Sequence, residues 1–237
     1  MTEDTSKLNH SKLGTKEYWD DFYKLEHSNF EKNTEDTGEC WFSDSDAEEK
    51  IISFLFDNLN QLPTITEQSE ICDLGTGNGH LLFQIREEGF KGKFVGIDYS
   101  ETSIEFAREI ADTNDVDDIE FSTSDILLEN DEFISNNKEK FDIVLDKGTL
   151  DAIALSSTKY GENNDLIGAD VYPLNVKNLV KKGGILLITS CNFTEEELQK
   201  IILKEESLKF WKKVDYPVFE FGGVKGQTIC SIAFIKQ

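Results

Sequence analysis

From residue 69 onward, short apolar runs alternate with segments of helical periodicity. The runs are SEICDL, KFVGIDY, DIEFST, FDIVLD and GGILLITS, and amphipathic segments at 81–88 and 103–111 separate the first of them. Continuous apolar runs of this length are typical of parallel strands buried on both faces, and the helices between them supply the crossovers. The pattern predicts an α/β fold with a Rossmann-like, doubly wound, seven-stranded sheet, mostly parallel, with helices on both faces.

The end of the chain has a different pattern. Two β-like runs at 208–220 and 227–236 follow each other without a helix between them, and Gly222, Gly223 and Gly226 lie in the connection. Glycines between two β-like runs favour a turn. We therefore expect a C-terminal antiparallel hairpin at the end of the sheet.

The first 68 residues divide into two predicted parts. Residues 1–14 are polar without apolar periodicity and predict a disordered tail, and 15–68 predict a helical N-terminal extension before the sheet domain at 69–237. Trp19 and Tyr23 are spaced to share one helix face. A second helix is predicted after Ser45 and Glu48, whose spacing matches a capping box.

Composition narrows the class of protein. Residues at 1–14 do not resemble a secretion signal and no apolar run is long enough to span a bilayer, so we expect a soluble, cytoplasmic, monomeric protein without a membrane partner. The four cysteines and three histidines are scattered, which predicts neither disulfides nor a metal site. A net charge of −23 disfavours nucleic acid and favours a basic partner, although solubility alone also explains it.

The string ICDLGTGNG carries the first chemical signal. Asp73 ends an apolar run, and Gly75, Gly77 and Gly79 follow at every second position. Glycines here let the backbone turn and approach a nucleotide-like ligand at a helix N-terminus, and a purely structural turn is the alternative. His80 stands where the dinucleotide fingerprint has its last small residue, which disfavours NAD.

Three further residues follow predicted strands. Asp98 lies about 20 residues beyond the glycines, where an acid accepts hydrogen bonds from a ribose diol. Tyr99 is placed to stack on an adenine ring, and Asp125 to accept its amino group. The alternative for Asp98 is a helix N-cap, a role for which Ser100 is better suited.

Two carboxylates, Asp146 and Asp151, bracket the turn in FDIVLDKGTLDA and are expected to face the same crevice. A crevice rich in carboxylates repels a diphosphate and attracts cations such as a sulfonium methyl donor or a lysine ammonium. We expect these two residues to be catalytic by positioning an amine. For Asp151, capping of the following helix is the alternative.

The strings LGTKEYWD, DTGECWF, CDLGTGNG, GIDYS, DKGTLDA and LITSCNFTEEEL resemble, in order and spacing, the class I (seven-strand) methyltransferases that act on lysine in translation elongation factor 1-alpha. The resemblance spans about residues 13–235. It implies S-adenosylmethionine as cofactor and elongation factor 1-alpha as protein substrate. The cofactor pocket that we expect comprises Trp19, Tyr23, Trp41, Asp73, Gly75, Gly77, Asp98, Tyr99, Asp125, Ile126 and Lys147.

Three other functions are compatible with parts of this pattern. A small-molecule methyltransferase would use the same fold and the same acidic crevice. A dinucleotide-dependent oxidoreductase is disfavoured by His80, and a non-catalytic scaffold would bind the cofactor without transferring a methyl group.

Overall fold

The computed structural model describes residues 8–217, 219–221, 224–226 and 228–237. Its strands are β1 (Ile71–Leu74), β2 (Phe94–Asp98), β3 (Ile119–Thr123), β4 (Phe141–Lys147), β5 (Lys159–Tyr160), β6 (Leu166–Ile167), β7 (Val180–Ser190), β8 (Leu208–Val214), β9 (Phe219–Phe221), β10 (Val224–Gly226) and β11 (Cys230–Lys236). Its helices are α1 (Lys16–Phe30), α2 (Ala47–Asp57), α3 (His80–Glu87), α4 (Glu101–Thr113), α5 (Glu132–Asn136), α6 (Thr149–Ala154), α7 (Gly168–Val176) and α8 (Glu195–Ile202).

Seven strands form one sheet in the order β3-β2-β1-β4-β7-β11-β8. β1 pairs in parallel with both β2 and β4, and β11 runs antiparallel between β7 and β8. The predicted fold class is therefore confirmed. Because the strand order reverses at β1, the carboxyl ends of β1, β2 and β4 open a crevice at this edge, which is where ligands of open α/β sheets bind.

The apolar strands pack against helices on both faces. Neighbouring residues of β4 point to opposite sides: Val144 joins Leu150 and Tyr172 in one buried cluster, whereas Ile143 joins Ile51 in the other. This alternation follows from the pleat of a strand. Helices α6, α7 and α8 cover the first face, and α2, α3 and α4 cover the second.

The C-terminal antiparallel pair forms as predicted, between β8 and β11. Its connection contains a second small antiparallel pair, β9 with β10, which the sequence did not predict. Gly226 ends β10. Gly222 and Gly223 lie outside the described residues.

The segment before α1 differs from the prediction of a disordered tail. Residues 1–7 lie outside the described residues, but Lys12–Gly14 form a short 3₁₀ helix and Leu8 packs against the core. The Ser11 amide donates to the Leu155 carbonyl at 3.1 Å. Because this docking uses main-chain groups, apolar periodicity did not reveal it.

The predicted capping box before α2 is wrong. Ser45 lies in a 3₁₀ helix, and the N-cap is Asp46, whose backbone is left-handed (φ 51°) and whose side chain makes no cap bond. Glu48 does not reach back to the helix start. Its carboxylate instead faces two cationic groups, His80 and Lys147, which hold it more strongly than a neutral backbone amide.

Helix α1 is anchored on α4. Phe30 and Phe106 lie at 5.6 Å between ring centroids and form a small buried cluster with Ile110, and His27 stacks on Phe106 at 5.4 Å. Among the residues that the structure describes, no helix is both long and apolar enough to cross a bilayer. The contacts of Phe30 and His27 with Phe106 place α1 against α4, the helix that follows β2.

Candidate active site

The glycine loop after β1 has the backbone that only glycine adopts easily. Gly75, Gly77 and Gly79 have φ values of 60°, 59° and 79°. A Cβ on Gly77 would lie 2.4 Å from the Tyr23 hydroxyl oxygen, and a Cβ on Gly75 would lie 2.1 Å from Thr149 Oγ1. The loop is therefore closely approached from both sides, by the extension and by the start of α6.

Asp98, at the end of β2, is held against the glycine loop. Its carboxylate accepts hydrogen bonds from the amides of Gly77 at 3.2 Å and Ser100 at 2.9 Å. Ser100 caps α4 by accepting from the Ser103 amide, as expected. Asp98 is therefore not the N-cap, and its carboxylate is oriented toward the loop at the position predicted for a ribose acceptor.

Two buried carboxyl groups at this edge have raised pKa values. Burial raises the pKa of Asp73 to about 7, the charges of Glu48 and Asp98 act in the same direction, and Lys147 opposes them. Burial likewise raises the pKa of Asp98 to about 6, and the amides of Ser100 and Gly77 oppose it. Burial disfavours the ionised form of both carboxyl groups. A cation that binds beside them would favour the ionised form and would itself be attracted by it.

The ends of β2 and β3 place the residues predicted for the adenine. Tyr99 follows Asp98 and is half-buried, with Lys16 Nζ 5.7 Å from its ring centroid. Asp125 is also half-buried and its carboxylate accepts from the Leu127 amide at 3.0 Å. Ile126 is buried, and its carbonyl accepts from the Asn175 side chain at 2.8 Å.

An aromatic cluster of Tyr18, Trp19, Phe22, Tyr23 and Trp41 lies on the inner side of the extension. Trp19 lies 5.2 Å from Trp41 and 6.0 Å from Tyr23 between ring centroids. Burial raises the pKa of Tyr23 well above its usual value, and the charges of Asp98 and Asp73 raise it further. Tyr23 is thus close to both carboxyl groups whose pKa is raised, and contact of Trp19, Tyr23 and Trp41 with the cofactor stays a prediction.

Lys147 closes the crevice from β4. Its Nζ lies 3.2 Å from the Trp41 carbonyl oxygen and 3.4 Å from Glu48 Oε1. Glu48 Oε2 is also 2.6 Å from His80 Nδ1. Burial alone would raise the pKa of Glu48, but His80 and Lys147 outweigh it, so this pKa is lowered.

Sequence reasoning missed Glu48 and His80 as residues of this site. The spacing of Glu48 suggested a capping box, and His80 appeared only as a departure from a fingerprint. They lie 32 positions apart in the chain, so no local pattern connects them. Only the packing of α2 against α3 brings them together.

The carboxylate of Asp146 is held by groups of the chain itself. Its side chain is only 1% exposed, and it accepts from the amides of Thr149 at 2.9 Å and Leu150 at 3.1 Å and from the Tyr172 hydroxyl at 2.6 Å. Burial raises its pKa to about 7. The carboxylate binds the first two backbone amides of α6 and fixes the turn that carries Lys147.

Asp151 connects α6 to the end of β7. It is 4% exposed, and it accepts from the Ser190 hydroxyl and from the Cys191 amide, the latter at 2.9 Å. Burial raises its pKa. Asp151 lies inside α6 and does not cap it, because the N-cap position belongs to Gly148. Both acids therefore bind groups of the chain itself, and direct contact with an amine stays a prediction.

One buried donor at this edge has no partner within the described residues. Trp41 Nε1 is buried without a hydrogen bond, although its neighbour Trp19 donates to the Leu13 carbonyl at 2.7 Å. A buried N–H without a partner costs about 1–3 kcal/mol. The ligand expected from the sequence combines a nucleoside, a cation and an amino acid. The glycine loop, the two carboxyl groups of raised pKa, the aromatic faces and the free Trp41 donor within the described residues are all compatible with such a ligand.

Comparison with known proteins also indicates a methyltransferase. Residues 65–223 match a family model described as a methyltransferase domain. The chain is 54% identical over 235 residues to protein-lysine N-methyltransferase EFM4 of Saccharomyces cerevisiae, covering 98% of each chain. It is 33% identical over 226 residues to EEF1A lysine methyltransferase 2 of Danio rerio, covering 94% of this chain and 88% of the relative.

Among solved structures, a TehB-like SAM-dependent methyltransferase from Corynebacterium glutamicum superposes with a TM-score of 0.57. It is 14% identical, and the match covers 92% of this chain and 98% of that chain. This likeness concerns the fold, whereas the sequence relatives extend over the sheet domain and the extension alike. The chain therefore belongs to the methyltransferase-domain family and, within it, to the protein-lysine N-methyltransferases.

Proposed function

We propose that this protein transfers a methyl group from S-adenosylmethionine to the side-chain nitrogen of a lysine in translation elongation factor 1-alpha. The substrate assignment is supported by the relative from Danio rerio, whose name specifies EEF1A. The observation that carries the proposal is the contact between the extension and the glycine loop. Tyr23 meets Gly77 there, so the aromatic cluster and the cofactor loop form one site.

The cofactor is S-adenosylmethionine, which supplies a methyl group on a positively charged sulfur. We propose that Asp98 accepts from its ribose hydroxyls and that Gly75 and Gly77 let the backbone approach it. Tyr99, Asp125 and Ile126 lie at the ends of β2 and β3 and are proposed to surround the adenine. These residues lie at the carboxyl ends of strands next to the point where the strand order reverses. Ligands of this fold usually bind there, which supports the proposal.

The other end of the cofactor is proposed to lie between Asp73, Lys147 and Trp41. Asp73 is suited to an ammonium group and Lys147 to a carboxylate, so together they match an amino acid. The faces of Trp19, Tyr23 and Trp41 attract a sulfonium and exclude water. The charge of Asp73 and Asp98 adds to this attraction.

Lysine must lose a proton before it attacks. At pH 7 this costs roughly 4–5 kcal/mol for a lysine of ordinary pKa. A carboxylate beside the amine raises the cost, whereas a nearby positive charge lowers it. We therefore propose that Asp146 and Asp151 act as positioning residues, because they fix the Lys147–Gly148 turn and the end of β7 that border the acceptor side.

A direct binding experiment tests the cofactor assignment. We expect Asp98→Ala to weaken S-adenosylmethionine binding by about tenfold or more in isothermal titration calorimetry, because hydrogen bonds to a charged acceptor contribute about 1.5–3 kcal/mol. Glu120→Ala is the matched control, since Glu120 is exposed on β3. Unchanged affinity in Asp98→Ala would overturn the ribose assignment.

The substrate is tested with radiolabelled cofactor and a lysate from cells that lack this enzyme. The expected result is one labelled protein at the mass of elongation factor 1-alpha, with the label on lysine after hydrolysis. Label confined to small molecules would overturn the protein substrate. The proposed substrate is a translation factor, so we also propose that the enzyme acts in the cytoplasm.

A further inference from the structure

We propose that Cys40, Glu48 and His80 form a binding site for one thiophilic divalent cation, with Zn²⁺ as the metal whose chemistry fits best. One ligand atom from each residue lies within 4.8 Å of the other two. The site is next to the cofactor loop, and Glu48 also lies 3.4 Å from Lys147, which is proposed to hold the cofactor. It does not depend on the identity of the methyl acceptor.

The ligand set is that of a zinc site. A thiolate, an imidazole and a carboxylate bind Zn²⁺ at about 2.3, 2.0 and 2.0–2.2 Å. In a tetrahedral arrangement, these bonds place neighbouring ligand atoms roughly 3.3–3.6 Å apart. Glu48 Oε2 and His80 Nδ1 are 2.6 Å apart as hydrogen-bond partners, so the two groups would separate by about 1 Å or less when both bind the metal.

A second observation points to a ligand at the same place. Glu48 is 8% exposed, and its Oε1 forms no hydrogen bond of good geometry in the structure. Its nearest cation, Lys147 Nζ, lies 3.4 Å away and also binds the Trp41 carbonyl. A metal ion would offer this oxygen a direct bond in addition to the ion pair.

The fold delivers the three residues from separate elements. Cys40 lies in the linker between α1 and α2 and is half-buried, Glu48 is in the first turn of α2, and His80 begins α3 directly after Gly79. The half-buried positions of Cys40 and His80 give an ion a path from solvent. Sequence spacing predicted no metal site because these residues are far apart in the chain.

Proton balance sets the conditions for binding. Coordination requires a Cys40 thiolate and a His80 ring nitrogen without a proton, so binding releases the protons that these groups hold. Two negative ligands then offset the charge of the ion, and a water molecule is expected as fourth ligand, as in open zinc sites.

Such an ion would connect the linker to the glycine loop. Cys40 lies beside Trp41 in the aromatic cluster, and His80 follows the last loop glycine. A metal bond between them would hold the extension against the loop. The consequence is an effect of Zn²⁺ on cofactor affinity.

The experiment uses the full chain, freed of metal with a chelator, and Co²⁺ as a spectroscopic probe of the zinc site. We expect one equivalent of Co²⁺ to give a thiolate-to-metal charge-transfer band that one equivalent of Zn²⁺ abolishes. Cys40→Ser should lose the band and weaken Zn²⁺ binding at least about tenfold in calorimetry. Cys191→Ser is the control, because Cys191 is exposed and lies outside the cluster.

His80→Gln provides a second variant in which the thiol remains, and it should also weaken Zn²⁺ binding at least about tenfold. Wild-type Zn²⁺ affinity in Cys40→Ser or in His80→Gln would overturn the proposal. So would the absence of saturable binding at one equivalent by the wild-type chain, which would leave only an ion pair between Glu48 and His80.

Discussion

At the scale of single residues, burial controls the chemistry of the crevice. Asp73 lies one residue before the end of β1 and Asp98 ends the neighbouring strand β2, and both keep a proton to much higher pH than an exposed carboxyl group, to about 7 and about 6. A positively charged ligand reverses this effect by favouring the ionised form. Cofactor binding and proton release are therefore expected to be linked at this site.

The pKa of Asp73 predicts a pH-dependent contribution to stability. Between pH 4 and pH 7 the folded chain holds a proton that the unfolded chain has released, so this contribution is fully present at lower pH and is lost as pH rises through about 7. Asp73→Asn removes the effect. From pH 5.5 to 8.5, its unfolding free energy should rise by about 2 kcal/mol relative to wild type.

Urea denaturation of the two proteins without cofactor, at both pH values, measures this difference. Subtracting the two curves removes the contributions of all other groups that titrate equally in both. Parallel curves would contradict the raised pKa of Asp73.

Individual site residues were predictable where one strand end defines them. Asp73 and Asp98 each follow an apolar run, so the sheet itself places them. Asp146 was predicted by the same rule, but its carboxylate binds two backbone amides at the start of α6 and the Tyr172 hydroxyl of α7. The direction of a side chain depends on such competition, which the position of its residue does not reveal.

At the scale of elements, the glycine loop is constrained both by its backbone and by its neighbours. In Gly77→Ala, a left-handed backbone costs about 1–2 kcal/mol, and the new methyl group would also displace the Tyr23 hydroxyl. We therefore expect lower stability and a loss of S-adenosylmethionine affinity of at least about tenfold, measured by calorimetry.

Gly183→Ala is the matched control for this prediction. Gly183 has a similar backbone (φ 80°), and a Cβ there would meet only Thr64 Cγ2 at 3.8 Å. It should lose comparable stability while keeping cofactor affinity. Equal cofactor affinity in both variants would show that the close contact with Tyr23 does not matter for binding.

Helix α1 depends on a small cluster for its position. Phe30 is fully buried between α1 and α4, so Phe30→Ala should release the helix while the sheet remains folded. Hydrogen exchange should show lost protection in α1 but not in β1 or β4. Leu25→Ala, at a position 60% exposed on the same helix, should leave protection unchanged. Uniform loss of protection in Phe30→Ala would mean that α1 is part of the global folding unit.

The central strands β1, β2 and β4 were predictable because nearly all of their residues are buried, which leaves a continuous apolar run in the sequence. The segments that connect the strands were harder to predict from the sequence. The capping box failed because Glu48 has stronger partners in α3 and β4, and the contact between Ser11 and Leu155 uses only backbone atoms. In both cases, the contacts of Glu48 and of Ser11 are made with residues that are distant in the sequence.

At the scale of the whole molecule, charge should govern the encounter with substrate. The chain has a net charge of −23, and a basic protein substrate would be attracted over long range. We expect kcat/KM for the protein substrate to fall severalfold between 50 and 300 mM salt, measured in a methylation assay, because added ions screen this attraction.

The KM for S-adenosylmethionine serves as the internal control, since the cofactor binds in a crevice where short-range contacts dominate. It should change much less over the same salt range. Equal salt dependence of both constants would contradict long-range attraction of the protein substrate.

The junction at Gly14 has a consequence for how the chain is assembled. Any side chain there would have its Cβ 2.3 Å from the Leu155 carbonyl carbon, so only glycine fits beside that backbone. Sliding the chain by one residue would bring Leu13 or Thr15 to this point and is sterically blocked. The alignment of Trp19 and Tyr23 over the cofactor loop is thus fixed from outside the site, by a residue that has no side chain.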